Sequence, residues 1–338
     1  MTGALLLLLT ATLFASNHIA ARLAFDHGTS VATAVAVRSM TTVVVVLALL
    51  LATRTSLRLP LRTLKRAVLI GLLLSVQSYC LYAAVARLPV ALALLTFNIF
   101  PILLAAITWL ATGQRPGRRT LIAMPVILMG LTLALNVLGI GVAVPPADAV
   151  NAVDAAGAVG AADAAAGSVA ARWSTMSAGV GFALTAASAF AFALYLTSRW
   201  LGGIDGRLRA VLTMGTVAAV VVVLGALAGL FGMSAGMSAG MSAGISAGIG
   251  SAFSWPDAPL GWLGLGLLSL LYTAAFTTMF GLLPRLGALN NAPILNFEPI
   301  AALILGSQIL GQKVLPIQIG GALLVISAIV FLTTGPRR

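Results

Sequence analysis

Charge is what this sequence has least of. Only 8% of its 338 residues are charged, and acids are scarcer than bases, with 7 Asp and Glu against 19 Lys and Arg. Soluble domains carry about 25% charged residues, so a water-soluble globular protein is excluded. There is one cysteine, Cys80, and it lies within an apolar run. An intrachain disulfide and a thiolate metal site are thereby excluded. Two histidines, His18 and His27, leave no HExxH pair. There is likewise no GxxxxGK[ST] phosphate loop and no Asp-rich pair for a diphosphate substrate. The expectation is a chain that is not an enzyme, holds no metal or cofactor and does not drive transport with ATP.

What is there in quantity is hydrophobic, at 60% of the chain. Apolar runs of about 20 residues, separated by short basic clusters, read as membrane helices. The net charge of +12 would suggest nucleic acid in a soluble protein. Here the Lys and Arg sit at helix ends, so membrane lipid is the expected surrounding and no nucleic-acid partner is expected. Ten helices are predicted, at 3–22, 31–53, 67–86, 89–111, 120–139, 178–199, 208–231, 260–283, 288–310 and 316–334. The first has an apolar stretch without a basic leader, and reads as a retained helix instead of a signal peptide.

Basic residues set the orientation. Arg54, Arg58, Arg62, Lys65 and Arg66 fall between the second and third helices, Arg115, Arg118 and Arg119 between the fourth and fifth, and Arg199, Arg207 and Arg209 around the sixth-to-seventh turn. Arg285, Arg337 and Arg338 fall on the same side. The other side holds Arg22, Arg87, Arg172 and Lys313. This bias predicts both termini in the cytoplasm.

A segment near 72–114 recurs without gaps near 270–312. Leu72, Leu73, Arg87, Leu88, Asn98, Pro101, Ile102, Gly113 and Gln114 match Leu270, Leu271, Arg285, Leu286, Asn296, Pro299, Ile300, Gly311 and Gln312. Five helices per copy is an odd number, so the second copy enters the membrane inverted. Inverted repeats characterise secondary transporters, whose solute site lies near the midplane between the halves. The expected fold is an all-α integral membrane protein of ten transmembrane helices in two inverted five-helix repeats. Residues 1–139 form the first, 140–176 an Ala/Gly-rich outer linker and 177–338 the second, with a low-complexity outer loop at 232–258. That loop repeats Met-Ser-Ala-Gly. Thioethers favour Cu(I), but no His or Cys assists, and simple-sequence expansion is the preferred reading.

Few residues offer chemistry. Glu298 is the one acid well inside a predicted helix, either a solute- or proton-coupling group or a polar tie between helices. Pro101 and Pro299 occupy matched mid-helix positions and would free the carbonyls of Phe97 and Leu295, either as a paired gate or as static kinks. Asn98 and Asn296 lie three residues before them as amide donors. Asn17 and His18 are adjacent polar groups in the first helix. Arg38 lies two turns into the second, to snorkel outward or to meet an anionic solute group. Gln77, Tyr79, Tyr82, Tyr195 and Tyr272 are further polar groups for a solute cavity or the interface.

These features together resemble the drug/metabolite transporter superfamily, of the ten-helix EamA type. Phe14-Ala15-Ser16-Asn17 followed by Arg22 is similar to that family's Trp-Gly-Ser-Asn opening, departing at Phe14 and Ala15. Pro101 with Gly113-Gln114 and Pro299 with Gly311-Gln312 resemble its Pro and Gly-Glu in each half, with Gln in place of Glu. Glu298-Pro299 is similar to the Glu-Pro of many ninth helices, and Arg38 to a basic residue early in the second. The resemblance implies export of small metabolites such as amino acids across the inner membrane, with or without proton coupling. Rival readings are a lipophilic-cation exporter, a membrane-embedded transferase and a non-transporting partner or sensor. A homodimer through an outer helix face is compatible with the sequence.

Overall fold

Backbone N–H and C=O groups find no water in a bilayer, so an apolar chain that crosses one satisfies them internally as helix. The computed structural model describes residues 2–54, 59–113, 118–134, 158–230, 253–286, 297–312 and 315–333. Among these the helices are α1 (Thr2–Asp26), α2 (Val31–Ala52), α3 (Leu61–Arg87), α4 (Val90–Phe97), α5 (Phe100–Thr112), α6 (Arg118–Ala134), α7 (Ala158–Trp200), α8 (Gly206–Leu230), α9 (Pro259–Leu286), α10 (Glu298–Ile309) and α11 (Pro316–Thr333). No strand occurs among the described residues. Among the described residues six helical stretches are long and apolar enough to cross a membrane: Val31–Ala52, Leu61–Arg87, Val90–Thr112 (α4 with α5), Met176–Trp200, Gly206–Leu227 and Pro259–Thr278.

Three boundaries differ from the sequence expectation, each for a local reason. The expected single helix 89–111 is two helices, α4 and α5, separated at Asn98–Ile99. Pro101 cannot donate an N–H back along the chain, and the helix restarts just before it, where proline is tolerated. α7 begins at Ala158, within the stretch read as a linker, because alanine is the strongest helix former. The remainder of that linker, 140–157, and most of the Met-Ser-Ala-Gly loop lie outside the described residues. α3 starts at Leu61, earlier than expected, and its first turns carry Arg62, Lys65 and Arg66 on exposed positions. Long basic side chains hold a helix end at a membrane surface in this way.

Turn chemistry closes the elements. α3 ends at Arg87, and Pro89 caps α4 on its N-terminal side. The matched glycines Gly113 and Gly311 both take left-handed φ, at 72° and 62°. Each follows its helix within two residues, where glycine avoids the Cβ penalty. Arg22 reaches the end of α3, donating to the carbonyls of Val85, Ala86 and Leu88 while pairing with Asp26 at 2.8 Å. A cation suits the carbonyl-rich end of a helix. The α1–α2 turn is tied to the segment before α9: Ser30 accepts from the Ser254 N–H, and Thr33 donates to the Ser254 carbonyl. Asp205 precedes α8 and accepts the Arg207 N–H at 2.8 Å. Hydrogen bonds from Arg207 hold its carboxyl below the usual carboxylate range.

Small residues set the packing. α1 runs along α9, α3 along α7, α6 along α11 and α2 along α8; α3 also meets α8, and α2 meets α9. Ala15, Ala20, Ala21 and Ala24 give α1 a buried small-residue face. In lipid, association depends on close van der Waals contact, which small residues permit. The α6–α11 crossing is the closest in kind. A Cβ on Gly321 would run into the Ala134 nitrogen and lie 2.6 Å from the Gly130 carbonyl oxygen. At the α1–α9 crossing a Cβ on Gly264 would lie 2.8 Å from both the Ala20 carbonyl oxygen and the Ala24 nitrogen.

Two outcomes follow. Gly321→Ala forces backbone apart and should cost about 1–3 kcal/mol, lowering the thermal unfolding midpoint in detergent, whereas Gly113→Asn, which tolerates left-handed φ and meets nothing, should change it little. Asp205→Ala removes the α8 cap and should cost about 1 kcal/mol. That contribution is complete above the unfolded carboxylate pKa of about 3.9 and fades as pH falls through the lowered folded value. A midpoint difference between native protein and Asp205→Ala that grew on acidification would contradict it.

Candidate functional site

Side-chain spacing on the helices gathers one polar cluster in an apolar interior. Ser78 and Tyr82 are four residues apart on α3, which places them on one face. Arg38 on α2 donates from Nη2 to the Ser78 hydroxyl at 3.0 Å, and Ser78 donates to Gln77 Oε1 at 3.4 Å. The Arg38 guanidinium carbon lies 4.8 Å from the Tyr82 ring centre and 4.0 Å from that of Tyr272 on α9. The Tyr82 hydroxyl donates to Asn17 Oδ1 on α1 at 2.8 Å. Phe14 meets the Tyr272 ring edge-on at 5.9 Å, and Phe25 meets Tyr82 at 6.0 Å.

Arg38 is 3% exposed and remains charged, since guanidinium does not deprotonate in proteins. A charge at membrane depth costs about 2.5–3.5 kcal/mol on insertion scales. Two aromatic faces in a desolvated setting return about 2 kcal/mol each, so the rings carry most of the compensation. The ring faces themselves provide no acceptor for the in-plane N–H groups. Arg38 Nε is buried with no hydrogen-bond partner, and so are Asn17 Nδ2 and Ser39 Oγ. Among the described residues no carboxylate forms an ion pair with Arg38. The snorkelling alternative for Arg38 is not what the chain adopts.

His18 joins this cluster to Glu298. Its ring lies 5.5 Å from that of Tyr82, and its Nε2 is 3.4 Å from Glu298 Oε1. His18 is buried and its Nδ1 has no partner, whereas the Glu298 side chain keeps 26% of its surface. Glu298 is not mid-helix as the sequence suggested. It is the first residue of α10, followed by Pro299. It thus stands in the first turn of α10, the end of a helix that favours an acidic side chain.

The remaining sequence candidates divide. Asn98 turns back on its own helix, donating to the Leu94 carbonyl at 2.8 Å. It therefore caps the end of α4 and does not serve the Phe97 carbonyl. Pro101 and Pro299 each sit in the first turn of a helix, α5 and α10, so the continuous kinked helices expected from sequence are replaced by helix starts. Asn296 and the Leu295 carbonyl lie outside the described residues. Gln77 borders the cluster through Ser78, and Tyr79 packs half-buried against the α1–α2–α9 core. Tyr195 lies apart: its hydroxyl accepts from Arg199 at 3.1 Å on an exposed part of α7.

Sequence reasoning passed over Ser78, Phe14, and the Thr42–Thr273 hydroxyl contact at 3.1 Å between α2 and α9. The i+4 relation of Ser78 to Tyr82, and of Thr42 to Arg38, is the signal that would have found two of them. It also passed over Phe97, Phe100 and Phe190. These rings meet at 5.0–5.5 Å across the α4–α5 break and α7.

Comparison with known proteins agrees with this architecture. No curated protein matches the chain. A crystal structure of another protein aligns over 98% of this chain and 98% of its own, with a TM-score of 0.57 and 16% identity, a likeness of fold alone. The EamA-like transporter family model matches residues 1–136. That span, less than half of the chain, runs from α1 through the end of α6 and includes Asn17, His18, Arg38 and Tyr82, so over its first 136 residues the chain is similar to the EamA-like transporters.

Proposed function

We propose that the protein is a secondary transporter built as two inverted five-helix repeats, exporting a small polar metabolite, an amino acid or related solute, across the inner membrane by alternating access. Both termini are cytoplasmic in this reading. The observation that carries it is the meeting of His18 and Arg38, from the first copy, with Tyr272 and Glu298, from the second, in one buried cluster. A membrane protein without a polar passenger has little reason to keep charge at such a place.

Helix partnerships support the repeat. Let α1, α2, α3, α4–α5 and α6 correspond in order to α7, α8, α9, α10 and α11. Exchanging the two sets turns the α3–α7 contact into the α9–α1 contact, and α3–α8 into α9–α2. The α2–α8 and α6–α11 contacts map onto themselves. Packing that is unchanged by such an exchange is what a two-fold relation between halves produces. The matched left-handed Gly113 and Gly311 repeat the same backbone device in each copy.

The solute would lie between α1, α2, α3, α9 and α10, with the tyrosines against its apolar part and Glu298 and Arg38 toward its polar groups. The helix starts at Pro101 and Pro299 would be the places where each half bends. The lipophilic-cation alternative fits less well, because Arg38 would repel a permanent cation in a medium of low dielectric constant.

Flux of labelled amino acids, nucleosides and cationic dyes in proteoliposomes, with and without an imposed pH gradient, tests this reading. One solute class should move, and Glu298→Gln should lower its flux at least tenfold with folding intact. Gradient-driven flux lost in that variant would make the coupling proton-linked; gradient-independent exchange would leave Glu298 as a solute contact. Dyes moving in place of metabolites, or no flux at all from folded protein, would count against it. Tyr82→Phe removes the hydrogen bond that Asn17 Oδ1 accepts. Leaving a buried acceptor unsatisfied costs about 1–3 kcal/mol, which thermal unfolding in detergent should register.

A further inference from the structure

We propose that Arg38 and Asn17 form a subsite for the carboxylate of a monoanionic solute group. The inference rests on the transport reading, and names the part of the passenger that the cluster holds. Three observations carry it. Arg38 is a permanent cation, buried, with no ion pair among the described residues and with Nε lacking an acceptor. Asn17 is fully buried on the neighbouring α1, and its Nδ2 lacks an acceptor while its Oδ1 is taken by Tyr82. Ser39, next to Arg38, has a buried hydroxyl without a partner.

What is missing at the two nitrogens is the same thing: an acceptor. Buried N–H donors left unpaired are rare, and each calls for an occupant. Tyr82 connects the two residues, holding Arg38 by its ring and Asn17 by its hydroxyl. The ring faces of Tyr82 and Tyr272 attract positive charge but offer the guanidinium N–H groups no lone pair in their plane. A carboxylate supplies both the lone pairs and the negative charge, and charge-assisted bonds of this kind are about twice as strong as neutral ones. One cation with neutral donors matches a single negative charge. A phosphate dianion would leave net negative charge in the interior.

The same donors would accept the carboxylate of an amino acid or of a simple organic acid, so the test separates the two. Full-length protein purified in detergent is melted with acetate, 4-methylvalerate, leucine, acetamide, leucinamide or isoamylamine at matched ionic strength. Carboxylates should raise the unfolding midpoint saturably, and the amides and the amine should not. Response to leucine at lower concentration than to 4-methylvalerate assigns the site to amino acids, and the reverse order to organic acids. Arg38→Met should abolish the response, because an apolar side chain of similar length brings neither positive charge nor N–H donors. Asn17→Ala should weaken the carboxylate response at least tenfold in concentration; that variant decides the matter if Arg38→Met does not fold.

No carboxylate response in the native protein, an equal response to leucinamide, or a response unchanged in these variants would overturn the subsite. Carboxylate binding without flux would leave the subsite standing and remove the transport reading. Flux of amines and amides but not of carboxylates would do the opposite.

Discussion

The rest of this structure is arranged around one cation. Arg38 sits in the interior of an apolar bundle, held by two tyrosine faces and one serine hydroxyl. A charge in such a place must be surrounded, because lipid cannot solvate it and water is remote. Tyr82 comes from the third helix and Tyr272 from the eighth of the ten expected, so the cation draws both halves of the chain together. The hydrogen bond from Tyr82 to Asn17 and the contact from His18 to Glu298 extend the same polar connection into α1 and α10. Tyr82 is fully buried with its hydroxyl paired to Asn17, and Tyr272 is half-buried with its hydroxyl 3.8 Å from the Met214 sulfur, while Tyr195 lies apart beside Arg199.

Holding such a cluster demands close helices, and the apolar surface supplies little directional preference of its own. Alanine and glycine at the α1–α9 and α6–α11 crossings let backbones approach to contact. The exposed large side chains, such as Met40, Val44 and Leu51 on α2 or Val223 and Leu224 on α8, face outward, as suits lipid. The pattern inverts the water-soluble rule. Many large side chains lie outside and many alanines inside, and among the described residues Arg38 is the one Lys, Arg, Asp or Glu that is buried.

Much of this was legible in the sequence and some was not, for physical reasons. Apolar runs and the recurrence at 72–114 and 270–312 gave the helical class, because hydrocarbon thickness constrains length strongly. Arg38 and Glu298 stood out because charge is so rare in the chain. Their environments were not readable. Whether Arg38 snorkels or is caged depends on which ring from a distant helix arrives beside it, and Tyr272 lies more than two hundred residues away. The break at Asn98–Ile99 was read as a kink, since proline at a helix interior and proline at a helix start look alike in sequence. Glu298 was read as buried mid-helix for the same reason. The helical stretch from Ala158 was read as linker because alanine and glycine together signal both helix and flexible chain, and neighbouring structure decides between them.

Gly311 and Gln312 tie the end of α10 to the start of α4. Gly311 takes a left-handed turn after α10, and Gln312 then reaches back with its Oε1 to accept the Val90 N–H at 3.3 Å, at the start of α4. A helix start needs an acceptor, and it attracts an anion only as a secondary preference. The amide oxygen of glutamine meets the first need without adding a carboxylate there. The contact joins the second copy to the first beside Pro89, close to the Arg22 bonds that finish α3. Two neutral or well-paired caps thus fix the ends of α3 and α4, while α4 stops at Asn98 and α5 begins anew. In the transport reading proposed above, with the ends of these helices fixed, relative motion of the halves would be taken up at Asn98–Ile99 and at the start of α10, and it is there that the aromatic trio and Glu298 stand.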